Sequence, residues 1–132
     1  MSRPVSIKDY MSRDVVTVSP QTDIMETVRL LVARDVTAMP VVDDRGDLVG
    51  MISERDCLQM LLQASYYGEK GGKVGDFMSP GVASVHADDS LLDVAKLFVD
   101  KPYKRYPVMG NNHLVGIISR RDLMQALLRL WG

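Results

Sequence analysis

The stretch LVGMISERD, Leu48 to Asp56, returns later in the chain as LVGIISRRD, Leu114 to Asp122. An internal duplication limits the available folds more than any other single feature, because each copy must be one supersecondary unit. Shifting the chain by 67 positions lays Tyr10-Met11-Ser12 on Phe77-Met78-Ser79, Val15–Val18 on Val82–Val85, and Pro40-Val41 on Pro107-Val108. A one-residue deletion in the next turn changes the offset to 66 and superimposes the two nine-residue stretches.

Within the first half, the β-branched run Val15–Val18 reads as a short strand ended by Ser19-Pro20. Asp23 with Glu26 predicts a capped helix start, and Ile24, Val28, Leu31 and Val32 predict its apolar face. A strand over about Met39–Val42 opens with Pro40. The turn Asp43–Asp47 joins it as a hairpin to a strand over Leu48–Ser53, and a helix follows over about Glu54–Gln63. The second half repeats this order, with Ser90 capping, a face of Leu91, Ala95, Phe98 and Val99, a turn at Gly110–His113 and a last helix from Arg120 to about Leu130. Each half is β-α-β-β-α. The expected division is 1–63, a Gly-rich linker over 64–73, and 74–132, within a mixed α/β (α+β) fold. The linker's GEKGGK lacks the register of a phosphate loop, since Val74 follows Lys73 where a hydroxyl residue is required.

With 132 residues, 46% of them hydrophobic, the chain has room for one ordinary domain with a core. A half of this size barely sustains its own core, so the halves are expected to pack together and leave a cleft between them.

Each repeated stretch is a strand running into a helix N-terminus. Unpaired N–H groups and the helix dipole favour an anion there, and the Asp three residues after the Ser can accept hydrogen bonds from vicinal sugar hydroxyls. Phosphate and ribose together point to a nucleotide. Ser53 with Asp56, and Ser119 with Asp122, equally fit an N-cap that binds nothing, and the residues alone leave both readings open.

Sixteen basic and seventeen acidic residues mixed along the chain give a formal charge of -1, which opposes nucleic-acid binding. No signal-peptide pattern or membrane-length apolar run is present, so the expectation is a cytoplasmic protein without membrane contact. Cys57 falls in a Leu-rich helical pattern as a small core residue, and the nine Met read as gap-fillers that let a cleft adapt. His86 and His113 have no ligand-spaced companions for a metal, and no nucleophile–base pairing stands out for catalysis.

The ordered landmarks in both copies are the Tyr/Phe-Met-Ser lead-in, VVTVSPQTDI or VASVHADDSL, AMPVVD or RYPVM, and G-h-h-S-x-x-D, where h is apolar. In these the chain resembles a tandem of CBS repeats, paired as a Bateman module, from about Ile7 to Leu128. The resemblance implies two repeats packed with pseudo-twofold symmetry, usually in a disc-shaped homodimer. It implies a non-catalytic sensor of AMP, ADP or ATP, or of NAD or S-adenosylmethionine, that relays ligand binding to a partner protein and needs no cofactor. It places Ser53, Arg55 and Asp56 in one site and Ser119, Arg121 and Asp122 in the other, each Asp holding ribose hydroxyls. Adenine contacts would come from Val16, Thr17, Thr37, Ala38 and Met39, and from Ala83, Ser84, Lys104, Arg105 and Tyr106.

Beside a phosphate, the second half offers Lys104, Arg105, Arg120 and Arg121, against Arg55 next to Glu54 in the first, so the second site is expected to hold phosphate better. Leu127, Leu128, Leu130 and Trp131, with Leu58, Leu61 and Leu62, offer more apolar surface than one core face needs, as a dimer would. The alternative function is a ligand-free dimerisation or protein-interaction module in which S-x-x-D only caps helices.

Overall fold

A computed structural model describes residues 5–68 and 71–132. The chain folds as two compact units that do not follow the sequence halves: residues 16–82 form a contiguous unit, and residues 5–15 join Ala83–Gly132 in a split unit. Glu69 and Lys70 of the GEKGGK stretch lie outside the described residues.

In the contiguous unit, helix α1 (Ile24–Arg34) precedes the antiparallel hairpin β1 (Ala38–Val42) and β2 (Leu48–Ser53), and helix α2 (Glu54–Tyr67) follows. Strand alternation sends Met39, Val41 and Ile52 into a core shared with Ile24 and Leu31 of α1 and Cys57 and Met60 of α2. The hairpin turn is built as expected: Asp43 Oδ1 accepts from the N–H of Arg45 and Asp47, and Gly46 takes φ 87°. The split unit repeats the plan with β3 (Val85–His86), α3 (Leu91–Asp100), β4 (Arg105–Gly110), β5 (His113–Ser119) and α4 (Arg120–Trp131). Its core joins Leu91, Val94 and Phe98 to Tyr106, Val108, Ile118, Leu123 and Ala126. The turn residues Asn111 and Asn112 both adopt positive φ.

The lead-ins cross over. Ser12 exchanges two 2.9 Å main-chain hydrogen bonds with Ile117 of β5, while Ser79 does the same with Met51 of β2 at 2.9 and 3.0 Å. Ile7 and Met11 are therefore core residues of the split unit, and Val74 is a core residue of the contiguous one. The crossing backbone needs a missing side chain beneath it. A Cβ on Gly50 would lie 2.7 Å from Met78 Sδ, and one on Gly116 the same distance from Met11 Sδ.

Several expectations are corrected. Val15–Val18 is no strand: only Val18 bridges Val41, with Val18 N–H donating to Pro40 O and Val42 N–H to Val18 O. The next rungs of that parallel ladder would need N–H donors at Pro40 and Pro20, which have none. In the second repeat Pro107 stops the ladder in the same way, but Ala87 replaces Pro20 and donates to Met109 O, so a two-residue strand survives. The capping box at Asp23 and Glu26 does not form: the Asp23 side chain makes no cap hydrogen bond, and the first helical N–H, that of Ile24, donates to Gly72 O. Val32 and Val99, expected in the cores, are 78% and 85% exposed; Thr27 and Val94 complete the inward faces instead. Helix α2 runs to Tyr67, through residues expected in the linker, and stops at Gly68 with φ 72°. Among the described residues no helix is long and apolar enough to cross a membrane.

Candidate functional site

Both repeated stretches place the Ser at a strand end, where it caps the following helix. The N–H and Oγ–H of Ser53 both donate to Asp56 Oδ2 at 2.9 Å, and Asp56 N–H returns a 3.2 Å bond to Ser53 Oγ. In the second repeat Ser119 N–H donates to Asp122 Oδ2 at 2.9 Å and Asp122 N–H to Ser119 Oγ at 3.1 Å. The hydroxyl proton differs: Ser53 commits it to Asp56, whereas among the described residues Ser119 has no acceptor for it.

The helix starts are less open than four free N–H groups would be. Glu54 N–H donates to Thr37 O, and Arg120 N–H to Lys104 O. With the Ser and Asp N–H groups spent in the boxes, the first turns retain the main-chain N–H of Arg55 and of Arg121 among the described residues. Each Asp uses Oδ2 alone within the box, so Oδ1 stays available as an acceptor.

The other expected residues separate into surface and core. Val16, Ala38, Ser53 and Asp56 are half-buried, while Thr17, Thr37 and Arg55 are exposed. Ala83, Ser84, Lys104 and Arg121 are exposed, and Arg105, Ser119 and Asp122 half-buried. Met39 and Tyr106 are core side chains, which leaves only their main chain for a ligand. Tyr106 packs against Phe98 with ring centroids 4.9 Å apart, and burial, followed by neighbouring Tyr103, pushes its hydroxyl pKa up against the opposing effect of Arg120. Because Pro40 and Pro107 end the parallel ladders, Val16, Thr17, Ala83 and Ser84 keep main-chain groups without hydrogen bonds among the described residues.

The charge comparison of the two repeats changes with the structure. Glu54 lines a groove of about 430 Å³ between α1 and α2 and not the strand face, and Arg120 Nε donates to Tyr103 O at 3.2 Å. The contrast that remains is in the ladder itself. Arg105 pairs with Ser119, and the matching pair is Ala38 with Ser53. Alternation puts Arg105 and Ser119 on the sheet face away from Tyr106, Val108 and Ile118, that is, away from the unit's core. Arg105 Nε is buried without a hydrogen-bond partner among the described residues. Residue patterns could not give that orphan donor or the uncommitted Ser119 hydroxyl, since both depend on side-chain placement.

Two strand-to-helix junctions of the same design, one in each repeat, define a tandem-repeat architecture. The chain belongs to the CBS domain family, whose sequence model matches residues 7–63 and 74–129. It is 36% identical over 119 residues to the CBS domain-containing protein YhcV of Bacillus subtilis, covering 89% of this chain and 82% of that one. It is 28% identical over 126 residues to MJ1225 of Methanocaldococcus jannaschii, covering 96% of this chain but only 44% of that longer protein. Among solved structures, CBSX2 of Arabidopsis thaliana in complex with AMP superimposes with a TM-score of 0.81 at 31% identity, over 96% of this chain and 98% of that one. The CBS domain pair of MJ0100, in complex with 5'-methylthioadenosine and S-adenosylmethionine, gives 0.79 at 25% identity over 97% and 99%.

Proposed function

We propose that this protein is a non-catalytic regulatory module that binds an adenosine-containing ligand at the strand-to-helix junctions of its CBS repeats and relays occupancy to a partner protein. AMP, ADP and ATP are the foremost ligands, with NAD and S-adenosylmethionine next. The observation that carries this is the likeness, over nearly the whole chain, to a CBS pair solved with AMP, together with a junction duplicated in each repeat. At each junction the free Oδ1 of Asp56 or Asp122 would accept from ribose hydroxyls, and the unpaired main chain of Val16–Thr17 or Ala83–Ser84 would meet the base. A cytoplasmic homodimer is the form we assign to it. The exposed apolar side chains Leu58, Leu62, Leu128, Leu130 and Trp131 would be covered by the second copy. The ligand becomes a signal only by binding two conformations with different affinity.

A second reading, a ligand-free dimerisation or interaction module, is favoured by one observation: both capping boxes close within the protein. Thermal unfolding against AMP, ADP, ATP, NAD and S-adenosylmethionine separates the two. A ligand at a hundred times its Kd adds about 2.7 kcal/mol. A rise in midpoint that Asp122→Ala reduces and the double change Asp56→Ala with Asp122→Ala abolishes supports the sensor; no rise with any of the five leaves the interaction module.

A further inference from the structure

We infer that the two sites differ in ligand class: the junction at Ser119 requires a 5'-phosphorylated adenosine, whereas the junction at Ser53 accepts the nucleoside without phosphate, and Arg105 sets the difference. This rests on the nucleotide-binding reading above. The donor count on the two sheet faces carries it. At the second junction, Arg105 stands across the ladder from Ser119 with a buried Nε that has no partner among the described residues. The same junction carries the Ser119 hydroxyl, uncommitted among the described residues, the Arg121 main-chain N–H, and, one residue before Arg105, exposed Lys104. Apart from the Asp122 carboxylate reserved for the ribose, this set is donating and positively charged, and an anion with several acceptor oxygens is what satisfies it.

At the first junction the Arg55 main-chain N–H is likewise retained, but the other features are absent or already used. Ala38 occupies the position across from Ser53, Thr37 replaces Lys104, and the Ser53 hydroxyl donates to Asp56. Arg55 is the cation left among the residues assigned to that site, and it is exposed, where screening weakens it. The Asp that would hold the ribose is common to both junctions, so nucleoside recognition is shared and phosphate recognition is not.

Titration calorimetry with adenosine and with AMP tests this on the wild type, Arg105→Ala, Arg105→Lys and Ala38→Arg. In the wild type, one site should prefer AMP over adenosine at least tenfold and the other by less than threefold. Arg105→Ala should abolish the strong preference by weakening AMP at least tenfold more than adenosine, Arg105→Lys should retain part of it, and Ala38→Arg should create a preference at the first site. Equal preference at both sites, or a preference unchanged in Arg105→Ala, overturns the inference while the nucleotide reading stands. A wild type that binds neither compound overturns both.

Discussion

Met78 Sδ lies 2.7 Å from the position a Cβ on Gly50 would take, and Ser79 O lies 3.0 Å from it. At Gly116 the counterparts are Met11 Sδ at 2.7 Å and Ser12 O at 2.8 Å. A Met side chain can swing aside, but a main-chain carbonyl held in a two-bond bridge cannot. Gly50→Ala and Gly116→Ala should each destabilise by about 1–3 kcal/mol in urea denaturation, with Gly116→Ala the more severe.

Ile7 is fully buried in the split unit although most of that unit's residues lie after position 83. Ile7→Ala should lower stability by about 2–5 kcal/mol, as for other buried large-to-small changes. The fragment 74–132, which has the second repeat but lacks its lead-in partner, should show no cooperative thermal transition. A sharp transition at wild-type temperature would contradict the crossed arrangement.

Asp122→Ala removes the acceptor of the Ser119 N–H and should cost about 1 kcal/mol in the absence of ligand. Asp122→Asn keeps an oxygen acceptor for that bond and should restore most of this loss. Urea unfolding of the two variants without ligand measures the capping contribution apart from any binding.

Cys57 is buried, and that burial, helped by the Asp56 carboxylate, raises its thiol pKa. The folded state therefore disfavours the thiolate. The stabilisation is complete below the ordinary thiol value of 9.0 and is lost as pH rises from there through the raised folded value. Stability should fall above that pH by more than in Cys57→Ala, and the native thiol should resist alkylation at pH 8 until urea unfolds the chain.

The repeat, both hairpins and all four helices were legible because each depends on local pattern: alternation, helical spacing and turn residues such as Asn111 and Asn112. The strand at Val15–Val18 failed because its ladder depended on Pro20 and Pro40, which lie in different elements and matter only once paired. The Asp23 side chain makes no cap, and the Gly72 carbonyl that takes the Ile24 N–H is distant in sequence, so local pattern could not show it. At the candidate site the Ser and Asp pairs fell where their spacing put them. The distinction between Ser53 and Ser119 was not legible, since it rests on which acceptor one hydroxyl reaches.

The crossed lead-ins also set an order of events during synthesis. A ribosome that has released residue 82 has delivered every part of the contiguous unit, which can close at once. Residues 5–15 emerge earlier than any of these, yet their partners, Ile117 among them, are made only after residue 82. That segment therefore docks only after the contiguous unit is complete, and its apolar residues wait in the open until then.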